Sequence, residues 1–255
     1  MPKNTISTKG IVIREAPIGE ADKLLTLLTP TLGRITVRCR GVRTLKSRRF
    51  AASQLYAYSD LLLSEQDGRY TLEEAEVLET FFALRSSLEA VACANYFADL
   101  LYAVTVEEEG EEEILRLFLN SLAMLTRNGD CLTIKAVFEF RLTSLLGLMP
   151  DLSGCSLCGS AVPASGWLDA AGGVLICSSC AFAEHAPDGE ERVLLPFSGD
   201  TLSLMRYVAS CESRRIFSFS ADRAVIEEFS RIAERFLLYH IGRDFDTLDF
   251  LHTLL

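Results

Sequence analysis

Two hydrophobic periods divide the chain. Through the first eighty residues, short runs of alternating apolar and polar positions are separated by turn residues. TKGIVIRE, LLTLLT, RITVRCRG, DLLLSE and YTLEEAEVLE each read as a strand, with turns at Pro17–Gly19, Pro30–Gly33, Gly41 and Asp67-Gly68. Five such strands in so short a segment suit a closed barrel such as an OB-fold, with an SH3-like barrel as the competing arrangement.

From Phe82 the period becomes helical. Leu84, Leu88, Val91, Asn95, Ala98 and Tyr102 recur at spacings of three and four and form one stripe. The acidic run EEEGEEE (Glu107–Glu113) follows. Its second half suits the first turn of a new helix, where carboxylates favour the macrodipole, so the run reads as a solvated junction with Gly110 in the loop. ILRLFLNSLAMLTRN and LTIKAVFEFRLTSLLGL read as the next two helices, the latter ending before Met149-Pro150. After Pro196, two more are expected around DTLSLMRYVAS and ADRAVIEEFSRIAERFLLYHIG.

Between these helices, residues 151–195 are rich in Gly, Ser, Ala and Cys and contain Trp167, the sole tryptophan. The expected organisation is α+β: a barrel over 1–80, a helical domain over 81–150 and 196–255, and an insertion over 151–195.

The insertion contains the sharpest chemical pattern in the chain. Cys155-x2-Cys158 and Cys177-x2-Cys180 are two tight pairs separated by 18 residues. Each pair can offer two thiolates from one knuckle, and two knuckles complete a tetrahedron. GWLDAAGGVLIC between them reads as a β-hairpin turning over Ala-Gly-Gly, which makes the segment a zinc ribbon. Four thiolates leave no coordination position for water, so the zinc is expected to be structural. Cys39, Cys93, Cys131 and Cys211 stand in apolar surroundings and read as buried free thiols.

Charge changes the picture of the barrel. The chain carries a formal net charge of −10, yet RITVRCRGVRTLKSRRF (Arg34–Phe50) has seven Lys or Arg and no acid. Residues 1–80 hold 12 Lys/Arg against 10 Asp/Glu, and residues 81–255 hold 13 against 25. Strand alternation turns Ile35, Val37 and Cys39 towards the core and puts Arg34, Arg38 and Arg40 in an exposed row. Arg43, Lys46, Arg48 and Arg49 extend the row, and Phe50, Tyr56 and Tyr58 follow as candidate stacking rings. Cations beside aromatic rings on a small barrel are a means of holding single-stranded nucleic acid without sequence preference. Protection of a sheet edge needs fewer cations than this.

Catalytic patterns are sparse. The three histidines, His185, His240 and His252, fall in no triad or metal-ligand spacing, and there is no phosphate-binding GxxxxGK[ST] loop. The protein is therefore not expected to be an enzyme. MPKNTISTKGIVIRE has no apolar core of a leader, and no run is long enough to span a bilayer. The cytoplasm is the expected compartment, with no membrane partner.

The blocks TKGIVIREAPIGEADKLLTLLTPTLGRI, GVRTLKSRR, LLGLMPDLSGCSLCG, GGVLICSSC and YHIGRDFDTLDFL, in that order, make the chain similar to the RecO family of bacterial recombination mediators. The resemblance covers nearly the whole chain. It implies an N-terminal OB-fold, a helical domain and a zinc ribbon held by Cys155, Cys158, Cys177 and Cys180. It also implies binding of single- and double-stranded DNA through the basic barrel surface, and annealing of complementary strands, including strands coated with single-strand-binding protein (SSB). Cooperation with RecR in loading RecA, in the nucleoid, completes the expectation. The alternative is an adaptor that recruits repair partners to SSB through protein contacts alone.

Overall fold

β-Branched and aliphatic residues at alternate positions build the barrel. In β3 (Gly33–Cys39), Gly33, Ile35, Val37 and Cys39 are buried, while Thr36 and Arg38 between them are exposed. Ile35, Val37 and Cys39 meet Val12, Leu25, Leu27, Leu61, Leu63 and Leu72 in one core. The other strands are β1 (Asn4–Ile18), β2 (Asp22–Thr29), β4 (Tyr58–Gln66) and β5 (Arg69–Glu79). The computed structural model describes residues 4–42, 49–107, 110–127, 129–181 and 192–255.

The strands close in the order β1-β2-β3-β5-β4. Antiparallel neighbours are joined by one parallel pair, Val37↔Tyr70 and Arg38↔Thr71. A meander would place β3 beside β4. The observed closure is the Greek-key barrel of the OB-fold, as the family resemblance implies, and it decides against the SH3-like arrangement that strand count left open. β1 serves two neighbours. Its first half pairs with β4 and its second half with β2, with a register shift between Val12 and Arg14. Such a bulge bends a strand and lets it turn the corner of a barrel.

The helices are α1 (Leu88–Val104), α2 (Glu112–Thr126), α3 (Cys131–Leu145), α4 (Ser178–Ala181), α5 (Gly199–Ser210), α6 (Arg223–Ile241) and α7 (Asp246–His252). Ser87 caps α1 by accepting the Ala90 N–H, and Asp130 caps α3 by accepting the Thr133 N–H. The short α7 has no counterpart among the expected helices. Its seven residues are too few to show a helical period.

The chain forms two compact units. The first comprises Met1–Thr126 with Phe245–Leu254, and the second Arg127–Asp244 with Leu255. The first therefore joins the barrel to α1, α2 and the returning α7. In it the described part of the acidic run meets the expectation of a junction between α1 and α2, while Glu108 and Glu109 lie outside the described residues. Glu112 and Glu113 open α2 and pair with Arg116, at 2.7 and 2.8 Å. Gly110 lies so near the barrel that a Cβ there would come within 2.6 Å of the Pro30 carbonyl oxygen, which explains a glycine amid the acids.

The second unit holds α3, α5, α6 and a four-stranded sheet. Its strands are β6 (Asp151–Cys155), β7 (Ser165–Asp169), β8 (Val174–Cys177) and β9 (Leu194–Ser198), in the order β6-β8-β7-β9. The β7–β8 hairpin turns over Ala170–Gly173 as expected, with the Asp169 carboxylate accepting the Ala171 and Gly172 N–H groups. β9 was not expected. Pro196 lies within it, opposite Trp167, on the edge strand where a missing N–H is tolerated.

Lys135 is fully buried in this unit between Glu139 at 3.0 Å and Glu234 at 2.5 Å. Burial opposes its charge, but the two carboxylates outweigh this and raise its pKa. Arg206 of α5 clamps the ribbon. Its guanidinium donates to the carbonyls of Leu152, Ser153 and Ala161.

Candidate nucleic-acid interface and metal centre

Side-chain alternation along β3 sets out the cations, but neighbouring elements decide which remain available. Arg40 is exposed and has no ion-pair partner within 4.0 Å among the described residues. Arg38 is exposed too, and its Nε and Nη2 donate to Asp22 Oδ2 at 3.0 and 2.7 Å. The other carboxylate oxygen of Asp22 accepts the Gly41 N–H at 2.9 Å. That N–H, then Arg38, hold the Asp22 carboxyl below the usual carboxylate range. Asp22 thus ties down the end of the basic strand where the chain turns through Gly41 at φ 63°.

The expected row breaks at Arg34. Its side chain is half-buried, its guanidinium lies 4.4 Å from the centre of the Tyr102 ring, and its Nε donates to the Thr105 carbonyl at 3.1 Å. α1 covers this end of the strand, which alternation within β3 does not reveal. Arg49 donates to the Leu72 carbonyl at 2.8 Å. Arg43, Lys46 and Arg48 lie outside the described residues.

The stacking rings also differ from expectation. Tyr56 is buried, donates its hydroxyl to Asn95 and meets Phe118 edge-on. Burial pushes its phenol pKa far up. It is a core residue. Tyr58 and Phe50 are half-buried.

A groove of about 810 Å³ lies between the β1–β2 turn, the outer face of β3 and the β4–β5 hairpin. Arg38, Arg40, Arg69 and Tyr70 line it, with Leu24 at its margin. The OB-fold binds oligonucleotides on this face, between these two loops. Asp67 and Glu73 line it as well, so the groove is mixed in charge, with the cations in excess. Arg69 and Tyr70 escaped the sequence reading because they lie far from the basic segment. The Asp67-Gly68 turn just before them marks the β4–β5 loop and was the available signal.

The metal-ligand spacing translates directly into geometry. The Sγ atoms of Cys155, Cys158, Cys177 and Cys180 all lie within 4.8 Å of one another. Cys158 and Cys177 are 3.8 Å apart. Sulfurs at the corners of a zinc tetrahedron are separated by roughly 3.8 Å, given a Zn–S bond of about 2.3 Å. The Cys177 N–H donates to Cys155 Sγ at 3.3 Å. Burial raises the Cys155 thiol, but the N–H groups of Cys177, Cys158 and Leu157 outweigh it, leaving a pKa of about 6. The first knuckle closes through the Gly159 N–H on the Cys155 carbonyl, with Gly159 at φ 72°. Cys180 comes from α4. The cluster can hold a metal ion. Cys39, Cys93 and Cys131 are buried and Cys211 half-buried; burial raises the thiol pKa of Cys39 and Cys211.

Together these features define a protein with an OB-fold barrel followed by helices and a four-cysteine ribbon. The family model described as Recombination protein O N terminal matches residues 1–81, and that described as Recombination protein O C terminal matches residues 85–249. The chain belongs to the RecO family. It is 31% identical over 252 residues to the DNA repair protein RecO of Acetivibrio thermocellus, covering 98% of both chains. It is 32% identical to the protein of that name from Pelotomaculum thermopropionicum, covering 94% of this chain and 91% of the relative. Among the described residues, no helix is long and apolar enough to cross a membrane.

Proposed function

We propose that this protein binds single- and double-stranded DNA through the barrel groove and anneals complementary strands during recombinational repair. The observation that carries the reading is the placement of Arg38, Arg40 and Arg69 in the groove between the two loops that OB-folds use for oligonucleotides. Family membership supports it. Two phosphate backbones repel each other, and cations along one face lower that repulsion while base edges stay free to pair. Arg43, Lys46 and Arg48 contribute to DNA binding as well in this reading, whereas Arg34 ties the barrel to the end of α1 and Arg49 is engaged by the Leu72 carbonyl.

The functional division follows: 1–80 binds DNA, 81–150 with 196–255 forms the helical scaffold, and 151–195 forms the ribbon. The ribbon holds one structural zinc on Cys155, Cys158, Cys177 and Cys180, with no open position for substrate. The family resemblance supplies the partners: SSB on the strands to be annealed, and RecR in loading RecA. The protein makes and breaks no covalent bond, and it works in the cytoplasm at the nucleoid.

The decisive experiment is annealing of complementary oligonucleotides, bare and SSB-coated, by the purified protein. Annealing that weakens in parallel with DNA binding as salt rises is the expected result. SSB binding without any DNA affinity would establish the adaptor reading instead.

A further inference from the structure

A second cavity adjoins the groove. It measures about 480 Å³ and lies within the first unit, between the outer face of β1 and β2 and the helices α1 and α7. That volume falls in the range of ligand sites, roughly 300–1,000 Å³. Leu24 lines both cavities and is partly exposed, so it forms the ridge between them.

Strand register makes the two cavities parts of one surface. Ala16 pairs with Leu24, and Leu24 with Arg38. One step along, Arg14 pairs with Thr26, and Thr26 with Thr36. Paired residues in adjacent strands share a face, so the outer face runs unbroken from Arg38 to Arg14, across two strand spacings of about 4.8 Å each.

Arg14 is held flat and in place. Its guanidinium lies 3.5 Å from the centre of the Tyr102 ring, and Nη2 pairs with Asp99 Oδ1 at 2.7 Å. Thr247 of α7 donates to the other oxygen of Asp99 at 2.9 Å, which fixes the carboxylate in turn. The Arg14 side chain nevertheless remains 41% exposed and lines the cavity. A guanidinium backed by a ring on one face offers its other face to a planar partner, and unstacked nucleobases stack on arginine planes in this way.

We propose that the Arg14–Tyr102 cavity is a nucleobase site, which takes one unstacked base of a single strand that leaves the groove across Leu24. The proposal rests on the reading of the groove as the DNA-binding face. It adds a stacking site away from the basic segment, on a platform built jointly by β1 and α1. Its cation does not act mainly through phosphate, so its contribution depends little on salt and strongly on the length of the strand.

The test measures binding of fluorescent oligothymidylates of about 4 and about 12 nucleotides, the range of OB-fold site sizes. Arg14→Gln and, separately, Ala16→Leu should weaken binding of the longer strand about tenfold, the loss expected for one stacked base, and leave the shorter strand unchanged. Ala16 is exposed and lines this cavity but not the groove, and its replacement by leucine narrows the cavity without adding charge, so its variant guards against a folding defect in the Arg14 variant; thermal melts check both. The double variant Arg40→Ala/Arg69→Ala should weaken both lengths. Equal loss at both lengths, or no loss at either, for the Arg14 and Ala16 variants would overturn the nucleobase site while leaving the groove intact. An Arg40/Arg69 variant that binds like the wild type would overturn the groove reading itself, and the second site with it.

Discussion

The barrel groove and the cysteine ribbon are both candidate binding sites, but they are built in opposite ways. The ribbon draws its four sulfurs from two short knuckles, and they converge within 4.8 Å. The groove takes its cations from β3 and the β4–β5 hairpin, and each neighbour alters what they can do. Asp22 pairs Arg38, α1 takes Arg34 out of the row, and the Leu72 carbonyl engages Arg49. A ligand set fixed by local spacing survives folding unchanged. A surface fixed by charge is edited by whatever packs on it.

The largest effect should come from breaking the ribbon. The purified protein should carry about one zinc per chain, and Cys158→Ser should lose most of it. Structural zinc sites contribute on the order of 10 kcal/mol of apparent binding free energy that is coupled to folding. Elemental analysis and thermal melts measure both losses. Oligonucleotide binding should persist, because the barrel cations do not depend on the cysteines. Joint loss of metal and DNA binding would erase the contrast between the two sites.

Next in size is the buried triad of the second unit. Lys135→Ala removes the cation that Glu139 and Glu234 share, and should cost about 3–5 kcal/mol in urea unfolding. Replacing Lys135 by Met and Glu139 by Leu together should recover part of that loss.

A pH effect belongs to the same unit. Glu228 accepts hydrogen bonds from the Ser198 N–H and hydroxyl and from the Thr201 hydroxyl at the start of α5. Partial burial raises its carboxyl, but these donors win and lower its pKa. Its stabilising contribution is thus present above the unfolded carboxylate value, about 4.3, and is lost as pH falls through the lower folded value. Glu228→Gln should cost about 1–3 kcal/mol at neutral pH and flatten the acid limb of a stability–pH profile.

The arginines sharpen the comparison further. Arg40→Ala with Arg69→Ala should flatten the dependence of log K on log salt by roughly 0.7 for each single-strand phosphate that is no longer neutralised. Stability should change by no more than about 0.5 kcal/mol. Arg34→Ala should do the reverse: lower stability by about 1–2 kcal/mol, because the Tyr102 ring loses one of its two guanidinium contacts and the Thr105 carbonyl loses a donor, with the salt slope unchanged. Smallest of all, Glu112→Gln with Glu113→Gln should leave DNA binding intact and cost about 0.5 kcal/mol from the exposed pairs with Arg116.

Much of the fold was legible because its signals are local. Five strands and their turns appear at the expected places, and the hairpin over Ala-Gly-Gly forms as read. α7 and β9 went unseen. α7 is short, and β9 contains Pro196, a residue that argues against a strand except at an edge. At the groove, Arg38 and Arg40 were legible from alternation along β3, whereas Arg69 and Tyr70 come from another strand. Tyr56 looked like a stacking ring because it follows the basic segment, yet it is buried under α1 and α2.

The sequence by itself determined the strands and turns of the barrel, the helical periods and the two cysteine pairs. Each rests on interactions among residues a few positions apart, where backbone geometry alone sets direction and spacing. Only the tertiary structure decided which arginines face solvent, which tyrosine is core and which residues share the groove. Those outcomes depend on elements that meet across long stretches of chain: Arg34 with Thr105, Tyr56 with Asn95, Arg38 with Asp22 and Thr71. No local period encodes a partner so far away. Burial and pairing at such places are settled when packing brings the two surfaces together.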